Sequence, residues 1–343
     1  MLLVDALFLN SPGGITLLKY LYSNLKKKGI VSFFLLDKRG EKNFFIDFDS
    51  EKIFFESSLK NRKKFYKQNK SSFSTVLCFS NIPPPIHLSV PVFTFFQNVL
   101  LLQDCLYYPI RARILFYLKR KFILYYKNNS NKWIVQTGFT KQLLITKLQI
   151  QSQQVEILPF FFVPDPMIPS KCVKNPESFV YPSTGLPHKN HKVLLKAWEM
   201  LYEDGYQFEL HLTIPKTDVK LIKIISSLKF KGLKIQNHGI IGQKELLNLY
   251  QSSEYLIYPS LSESFGLPLM EAIQQKCKVI AADLPYSKET ITPTAIFNPY
   301  QPSSLKNAIL EATSQIENEK KSKIISEDKI NSFIDLINSP ICS

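Results

Sequence analysis

The sequence predicts an α/β protein built from two Rossmann-like domains. Three observations support this fold class: a length of 343 residues, apolar runs that alternate with amphipathic segments, and a proline-rich stretch near the middle. At about 150 residues per domain, the length allows two domains. The apolar fraction of 45% and the charged fraction of 21% are those of a globular protein, so a disordered or fibrous chain is excluded.

Short apolar runs in the first half indicate buried strands, because the strands of a parallel sheet are covered on both faces. The segments between them repeat apolar residues at three- and four-residue spacing, which predicts helices. Since strand and helix alternate, the sheet should be parallel and doubly wound. The predicted strands are Leu2–Leu9, Val31–Leu36, Thr75–Phe79, Pro91–Phe96 and Trp133–Val135, and the predicted helices are Ile15–Lys28 and Thr140–Leu148.

Four prolines between Pro159 and Pro169 predict a stiff extended linker, because proline fixes φ and ends helices. After it the alternation resumes, and the Lys/Glu/Ser-rich tail is expected to end in a helix. We therefore predict a first domain over residues 1–165, a linker over about 159–176 and a second domain over 177–343. Ligands of such domain pairs bind at the carboxyl ends of the strands, in the cleft between the domains.

Basic charge is concentrated in the first half. Residues 1–170 hold 23 Lys and Arg against 10 Asp and Glu, whereas residues 171–343 hold 20 against 18. This asymmetry predicts that the first domain faces an anion, although a Lys-rich composition of solvated faces explains it equally well. Between Arg111 and Tyr125 basic and aromatic residues are interleaved, which is typical of an amphipathic helix on a membrane surface. A core helix with a basic outer face has the same composition.

Several other classes are excluded by composition. The five cysteines are scattered without a C-x-x-C pair, which argues against zinc and disulfides and favours a reducing compartment. The first residues lack the basic region of a signal peptide, and no apolar run is long enough to span a bilayer. We expect a cytoplasmic protein that contacts the membrane surface.

Asp47 and Asp49 form a D-x-D pair, which we interpret as an exposed strand edge and not as a metal site.

The strongest functional signal is the segment Tyr258–Ile273, whose pattern predicts a strand, a turn and a helix. Pro268 opens the helix where proline is tolerated, and Gly266 lets the backbone approach a ligand closely. The first N–H groups of the helix form an anion site, while the carboxylates of Glu263 and Glu271 accept hydroxyl hydrogen bonds. This set suits a ribose diol or a hexose, although glutamates near a helix start are also common surface residues.

This segment resembles the Glu-x7-Glu signature of retaining GT-B glycosyltransferases of family four, the glycosyl transferases group 1. The stretches His238–Tyr250 and Pro182–Trp198 resemble further parts of the family. The second stretch contains a His-Lys-Asn-His string, which occurs in relatives that build bacterial surface polysaccharides. The resemblance implies the GT-B fold, two Rossmann-like domains facing each other across a cleft, and a metal-independent hexosyltransferase that needs no cofactor.

The resemblance also implies roles for the matching residues. Glu263 and Lys189 would be catalytic: Glu263 contacts the donor hexose, and Lys189 neutralises the leaving nucleoside diphosphate, whose negative charge grows in the transition state. Glu271 would bind the ribose of the donor. The other expected donor-binding residues are Ser264, Phe265, Gly266, Leu267, Gly13, Gly14, Gln97 and Asn98, and no metal ligand is expected.

The chain departs from the family pattern at three places. Ser183 stands where an Arg is common, Gln97 stands where a His is common, and Lys276 and Lys278 replace a Gly and a Pro after the signature helix. These departures leave open a noncatalytic nucleotide-sugar-binding homologue that supports a partner transferase.

The favoured function is hexose transfer with retention, from a UDP- or GDP-sugar to a glycan or lipid-linked acceptor in cell-surface polysaccharide synthesis, lipopolysaccharide included. A nucleic-acid binder would depend on the net charge of +15 alone, so no nucleic-acid partner is expected. An epimerase of the same architecture is also less favoured, because the Glu-x7-Glu turn is not its usual signature.

Overall fold

A computed structural model describes residues 1–43, 51–162, 174–314 and 320–339 of the chain. The chain divides into two compact units. Unit 1 comprises Met1–Phe162 together with Glu327–Ser343, and unit 2 comprises Val163–Ser326. The D-x-D pair and the part of the predicted linker between residues 163 and 173 lie outside the described residues.

Unit 1 contains a parallel sheet with helices between its strands. The strands are β1 (Leu2–Ala6), β2 (Ser32–Asp37), β3 (Glu51–Phe55), β4 (Thr75–Cys78), β5 (Val92–Phe95), β6 (Lys132–Val135) and β7 (Val155–Ile157). The helices are α1 (Pro12–Lys27), α2 (Leu59–Asn69), α3 (Ile110–Tyr126) and α4 (Gly138–Leu148). The seven strands follow the order β3-β2-β1-β4-β5-β6-β7, and the neighbouring pairs are parallel.

The central strand β1 holds a buried ion pair. All five residues of β1 are buried, and Asp5 interrupts its apolar run. The Arg62 guanidinium of α2 donates to Oδ2 of Asp5 at 2.8 Å, and the Tyr66 hydroxyl donates to the same oxygen at 2.7 Å. Arg62 also donates to the carbonyls of Ile82 and Pro83. The pair therefore ties α2 and the loop after β4 to the centre of the sheet.

Unit 2 repeats the alternation. Its strands are β8 (Asn175–Tyr181), β9 (Glu209–Leu212), β10 (Ile235–Asn237), β11 (Ser253–Tyr258), β12 (Lys278–Ala282), β13 (Ile291–Thr292), β14 (Ala295–Phe297) and β15 (Lys323–Ile324). Its helices are α5 (His191–Glu203), α6 (Val219–Phe230), α7 (Gln243–Ser252), α8 (Leu267–Gln274), α9 (Pro285–Thr290) and α10 (Pro302–Thr313). Six strands form a parallel sheet in the order β10-β9-β8-β11-β12-β14, and β13 pairs with β15 in antiparallel fashion. The predicted alternation is thus present in both units.

The last helix, α11 (Ile330–Asn338), packs in unit 1. The Phe333 ring is fully buried, with its centroid 4.7 Å from that of Phe160 and 5.6 Å from that of Phe95. The N–H of Lys329 donates to the carbonyl of Pro159. The tail ends in a helix as predicted, but the assignment of all residues from 177 to 343 to the second domain differs from this division. An amphipathic pattern shows that a helix has an apolar face, not which core receives that face.

Replacing Phe333 with Ala should destabilise unit 1 by about 3–5 kcal/mol, because a fully buried ring leaves a cavity. Hydrogen–deuterium exchange measures this as faster exchange in peptides from β4 and β5. Phe230→Ala is the matched control, since the Phe230 side chain is 94% exposed. Loss of protection in unit 2 peptides alone would show that α11 belongs to the other unit.

Candidate active site

The strand order of unit 2 reverses between β8 and β11. The chain adds β9 and β10 on one side of β8 and then places β11 on its other side. At such a switch point, the loops that leave the carboxyl ends of two neighbouring strands diverge and open a crevice in which ligands bind. The loop after β8 carries Lys189, and the loop after β11 carries Glu263. The topology therefore brings together two residues that are 74 positions apart in sequence.

The backbone around Lys189 is held on both sides. Lys189 ends a single 3-10 turn, and Asn190 follows it with a φ of +58°. The Asn190 side-chain amide donates to the carbonyl of Pro299 at 2.7 Å and to that of Pro259 at 3.2 Å. The Lys189 carbonyl accepts a hydrogen bond from the Tyr181 hydroxyl at 2.9 Å. The Lys189 side chain consequently leaves a fixed turn that is attached to the loop after β11.

Lys189 and Glu263 form a partly buried ion pair. Nζ of Lys189 lies 2.5 Å from Oε1 of Glu263, and the two side chains are 18% and 15% exposed. The Ser260 hydroxyl donates to the same oxygen at 2.6 Å. Burial acts to raise the pKa of Glu263, but the Lys189 ammonium and these hydrogen bonds outweigh it and hold the pKa below its ordinary value. Glu263 is therefore ionised at neutral pH.

Gly266 allows the chain to turn from the Glu263 loop into α8. Its φ is +87°, and a Cβ at this position would lie 2.9 Å from Cδ1 of Leu269. A side chain would therefore meet both backbone strain and a steric clash. The helix begins at Leu267 with Pro268 in its first turn, where proline is well tolerated.

Glu271 lies one turn inside α8 and has a different environment. The Tyr250 hydroxyl of α7 donates to its Oε2 at 3.2 Å. Burial raises the pKa of Glu271 above its ordinary value, and the hydrogen bond from Tyr250 offsets this only in part. Among the described residues, no Lys or Arg forms an ion pair with Glu271. The two signature glutamates therefore differ: Lys189 stabilises the charge of Glu263, whereas the charge of Glu271 has no such partner.

Three buried tyrosines pack near the pair. The ring centroids of Tyr181 and Tyr258 are 5.7 Å apart, and those of Tyr258 and Tyr286 are 5.9 Å apart. The Tyr286 hydroxyl donates to the backbone carbonyl of Ser260 at 2.8 Å. Burial raises the pKa of all three phenols well above the ordinary value, and the charge of Glu263 acts in the same direction. The tyrosines are therefore neutral packing groups around the charged pair.

Two histidines flank Lys189 in sequence and are buried. Burial lowers the pKa of His188 to about 4 and that of His191 to about 3, and the positive charge of Lys189 acts in the same direction. Both imidazoles are consequently neutral and weakly basic at physiological pH. Within the His-Lys-Asn-His string, Lys189 is therefore the cation.

The predicted glycines of unit 1 lie at the start of α1. Gly13 is exposed and Gly14 is buried within the first turn. A Cβ on Gly14 would lie 2.5 Å from Cδ1 of Leu9 and 2.9 Å from Oγ of Ser11. The small size of Gly14 thus has a packing reason in the fold of unit 1.

Gln97 and Asn98 lie in unit 1, in the loop that follows β5. The Gln97 side-chain amide donates to the carbonyl of Phe79 at 2.9 Å, and its backbone N–H donates to Oδ1 of Asn81 at 2.7 Å. Asn98 precedes a short 3-10 helix that begins at Val99. Gln97 therefore links the loops after β4 and β5 through its side chain and its backbone.

Several of the predicted site residues lie together in unit 2, and their roles in binding and catalysis stay predictions. Ser264, Phe265, Gly266 and Leu267 connect Glu263 to α8, and Phe265 is only 1% exposed. Sequence reasoning missed the supporting groups Ser260, Asn190 and Tyr250. No spacing indicates Asn190, because its partners lie 69 and 109 positions away.

Ser183 stands at the position where an Arg is common in the family. Its backbone N–H donates to Oγ1 of Thr213 and so holds the loop after β8.

Residues 168–330 match the family of glycosyl transferases group 1. The serotype-specific mannosyltransferase WbdA of Escherichia coli is 33% identical over 141 residues, which are 39% of this chain and 17% of WbdA. The O-antigen chain mannosyltransferase RfbU of Salmonella typhimurium is 27% identical over 193 residues, which are 55% of this chain and 53% of RfbU. The chain therefore spans less than two thirds of the length of each of these relatives.

A solved structure shows the same fold along the chain. The structure of Anabaena HepE in complex with UDP and glucose has a TM-score of 0.70, at 12% identity, and covers 98% of this chain and 95% of that protein. Together with the two parallel sheets, this likeness confirms the predicted GT-B fold class, in which each unit is a Rossmann-like α/β layer.

Two kinds of feature are absent from residues 1–43, 51–162, 174–314 and 320–339. In those ranges, no helix combines the length and the apolar character required to cross a bilayer. The same ranges contain no group of three or more His, Cys, Asp and Glu side chains placed to hold a metal ion.

Replacing Lys189 with Met should lower the free energy of unfolding at pH 7 by about 1–3 kcal/mol. Removing one partner of a fully buried pair costs about 3–5 kcal/mol, and partial exposure reduces that cost. Urea unfolding measures the difference. Lys196→Met is the matched control. The Lys196 side chain is 54% exposed and its partner Glu199 also pairs with Lys231, so no measurable change is expected.

The pH dependence gives a second readout of the same substitution. With Lys189 present, the pair stabilises the fold above the ordinary Glu range, and this contribution is lost as the pH falls through the lowered pKa of Glu263. Without Lys189, burial raises that pKa, so protonation of Glu263 relieves the cost. The stability difference between wild type and Lys189→Met should therefore shrink as the pH falls from 7 toward 5. A pH-independent difference would contradict this account of the pair.

Proposed function

We propose that this protein is a retaining glycosyltransferase that moves a hexose from a nucleoside-diphosphate sugar to a glycan or lipid-linked acceptor. The observation that carries the proposal is the Lys189–Glu263 pair at the switch point of unit 2, with Glu271 on the adjoining helix α8. The match of residues 168–330 to glycosyl transferases group 1 supports it. A role in cell-surface polysaccharide synthesis is supported by the names of WbdA and RfbU.

Each residue of the site has a chemical task in this reaction. When the bond between the sugar C1 and the diphosphate oxygen breaks, that oxygen gains negative charge, which the Lys189 ammonium stabilises. The Glu263 carboxylate accepts hydroxyl hydrogen bonds from the hexose, and the Glu271 carboxylate accepts those of the ribose. Because Glu263 and Lys189 are paired before the donor arrives, both are positioned without a change of their backbone.

The acceptor proton needs a destination. We propose that the acceptor hydroxyl attacks on the face from which the diphosphate leaves, and that its proton passes to the departing phosphate oxygen. This route retains the configuration at C1. The two histidines beside Lys189 support it, because their lowered pKa values make them poor bases. The Lys189 ammonium would neutralise the negative charge of the leaving group, a task that a metal ion performs in other transferases, which is why we propose a metal-independent reaction.

The donor class is a UDP- or GDP-hexose. HepE, which shares the fold, was solved with UDP and glucose, and the two curated relatives are named mannosyltransferases. Glucose and mannose donors are therefore the first to test. A screen of UDP-, GDP- and ADP-sugars by thermal unfolding identifies the donor, since a ligand at 100 times its Kd stabilises a protein by about 2.7 kcal/mol.

Glu271→Ala should abolish the thermal stabilisation by the donor. Lys189→Ala should lower turnover at saturating donor by about 100-fold or more, since removing one group that stabilises developing negative charge costs about 2.7–4 kcal/mol. Donor hydrolysis in the absence of acceptor measures turnover. Glu177→Ala, which removes an exposed carboxylate from the same unit, is the control. If both site variants bind and hydrolyse the donor like wild type, the site assignment is wrong.

Donor affinity should fall on acidification, beginning at a pH above the ordinary range of a Glu side chain. Burial raises the pKa of Glu271, so Glu271 is protonated first and loses acceptor capacity, whereas the lowered pKa keeps Glu263 ionised to lower pH. Isothermal titration across pH 4–8 measures the profile. In Glu271→Gln this acidic decline should disappear, and an unchanged decline would assign it to another group.

A second candidate is a noncatalytic homologue that binds a nucleotide-sugar and supports a partner transferase. The engagement of Ser183 and Gln97 in backbone hydrogen bonds favours it, because neither supplies the charged or protonatable group common in the family. Donor binding without hydrolysis or transfer by the isolated protein would support this candidate. Turnover by the purified chain alone would exclude it.

We also propose that the enzyme works at the membrane surface through the basic unit 1. The support is helix α3, in which Ile123 is the one buried residue. Its outward side carries exposed apolar groups next to basic residues, which is the composition of an interfacial helix.

A further inference from the structure

The hydroxyl group of Tyr258 is buried without a hydrogen bond. Tyr258 is the last residue of β11, and its side chain is 1% exposed. In the described part of the chain, no group has the distance and angle needed for a hydrogen bond with this hydroxyl. A buried hydroxyl in this condition lowers stability, because it has lost its bonds with water and gained none in return. Native proteins contain few such groups, so this one calls for an explanation.

The two phenols next to Tyr258 show the contrast. The Tyr181 hydroxyl donates to the carbonyl of Lys189, and the Tyr286 hydroxyl donates to the carbonyl of Ser260. Both rings contact the Tyr258 ring edge to face, at interplanar angles of 86° and 71°. The Tyr258 ring is therefore held in place by neighbours that have their own hydrogen-bond partners, and its hydroxyl is kept at a fixed position beside the candidate site.

The Tyr258 hydroxyl lies near the carboxylate of Glu263. After burial, the charge of Glu263 is the next cause that raises the pKa of Tyr258, and the capacity of the carboxylate to accept a hydrogen bond acts in the same direction. Oε1 of Glu263 already accepts from Nζ of Lys189 and from the Ser260 hydroxyl. The unbonded phenol thus lies near a carboxylate whose present partners are one ammonium group and one hydroxyl.

The proposed reaction takes the ammonium group away from this carboxylate. When Lys189 turns to the diphosphate, Glu263 loses the strongest of the causes that lower its pKa, while burial continues to raise it. The Ser260 hydroxyl has one proton, which it already donates to Glu263. A buried carboxylate that is left with one hydrogen-bond donor gains stability from a second.

We propose that Tyr258 is a positioning residue for Glu263: when Lys189 turns to the diphosphate, the Tyr258 hydroxyl donates to the Glu263 carboxylate in its place. This inference rests on the proposed function and adds the group that keeps Glu263 ionised and in position in the nucleotide-sugar complex. No covalent bond changes, since one hydrogen bond replaces another. The Ser260 hydroxyl keeps its bond to Glu263 throughout.

A double-mutant cycle tests the exchange without a ligand, because Lys189→Met removes the ammonium from Glu263 permanently. In the wild-type background, Tyr258→Phe should leave the urea midpoint at pH 8 unchanged or raise it, since it removes a hydroxyl that makes no bond. In the Lys189→Met background it should lower the midpoint, since it then removes a hydrogen-bond donor from an unpaired carboxylate. Tyr255→Phe is the matched control on the same strand. Its hydroxyl donates to the carbonyl of Ala312 at 2.9 Å, so the midpoint should fall equally in both backgrounds.

Nucleotide binding tests the exchange in the complex, with UDP and GDP as probes in isothermal titration at pH 8. Tyr258→Phe should weaken the binding of the nucleotide by about fivefold or more, since hydrogen bonds to charged groups are the strong ones. In Glu263→Gln, which has no charge to stabilise, Tyr258→Phe should change the affinity by about twofold or less. A purely structural role of Tyr258 predicts the same loss in both backgrounds.

The outcomes separate this proposal from the transferase assignment. Equal effects of Tyr258→Phe on the urea midpoint with and without Lys189 would overturn the exchange. So would an equal loss of nucleotide affinity in wild type and in Glu263→Gln, which would leave Tyr258 a packing residue. In either case binding of UDP or GDP to wild type would leave the transferase assignment intact. Failure of wild type to bind either nucleotide would overturn that assignment, and the exchange with it.

Discussion

The ion pair between Lys189 and Glu263 is the interaction on which the site depends. It joins the loops that leave β8 and β11, the two strands between which the sheet of unit 2 changes direction. A cation and a carboxylate at this switch point stabilise each other where both side chains are partly buried, so that either charge alone would be costly. In the proposed reaction, the hydroxyl groups and the negative charge of a nucleoside-diphosphate sugar would replace the contact that Lys189 and Glu263 make with each other.

The titratable groups around this pair are neutral, so Lys189 and Glu263 carry the charges at this position. The neighbouring histidines are neutral because burial next to Lys189 lowers their pKa, and the neighbouring tyrosines are neutral because burial raises theirs. Glu271, by contrast, has no Lys or Arg partner among the described residues, and desolvation raises its pKa, so its charge is less stabilised than that of Glu263. A buried carboxylate in that condition gains more from accepted hydroxyl hydrogen bonds than a paired one does. The two glutamates thus differ: Glu263 already has a cationic partner, whereas Glu271 can still gain stabilisation from a hydrogen-bond donor.

Hydrophobic patterning in the sequence was sufficient to predict the alternation of strands and helices. The resemblance of the signature segment to a known family singled out Glu263 and Glu271, and their roles stay predictions. The pattern missed α2, because its buried face contains Arg62 beside two aromatic residues and lacks an apolar stripe. It also missed Asn190, whose contacts depend on the tertiary fold. Lys276 departs from the family glycine, yet it adopts a φ of +63°, so the fold imposes a left-handed backbone there on a residue that does not favour it.

The return of α11 to unit 1 determines how this chain can be divided. The polypeptide leaves unit 1 once after Phe162 and re-enters it at Glu327. The two places where the chain leaves and re-enters unit 1 are joined by Asp328. Its carboxylate accepts a hydrogen bond from the N–H of Phe161 and another from the Tyr20 hydroxyl of α1. Cutting the chain once after unit 1 would therefore leave the first fragment without α11, the helix that carries Phe333. The second fragment would keep α11 with its apolar face exposed to water. Independent production of unit 1 calls for a circularly permuted gene or for co-expression of the last seventeen residues as a complementing peptide.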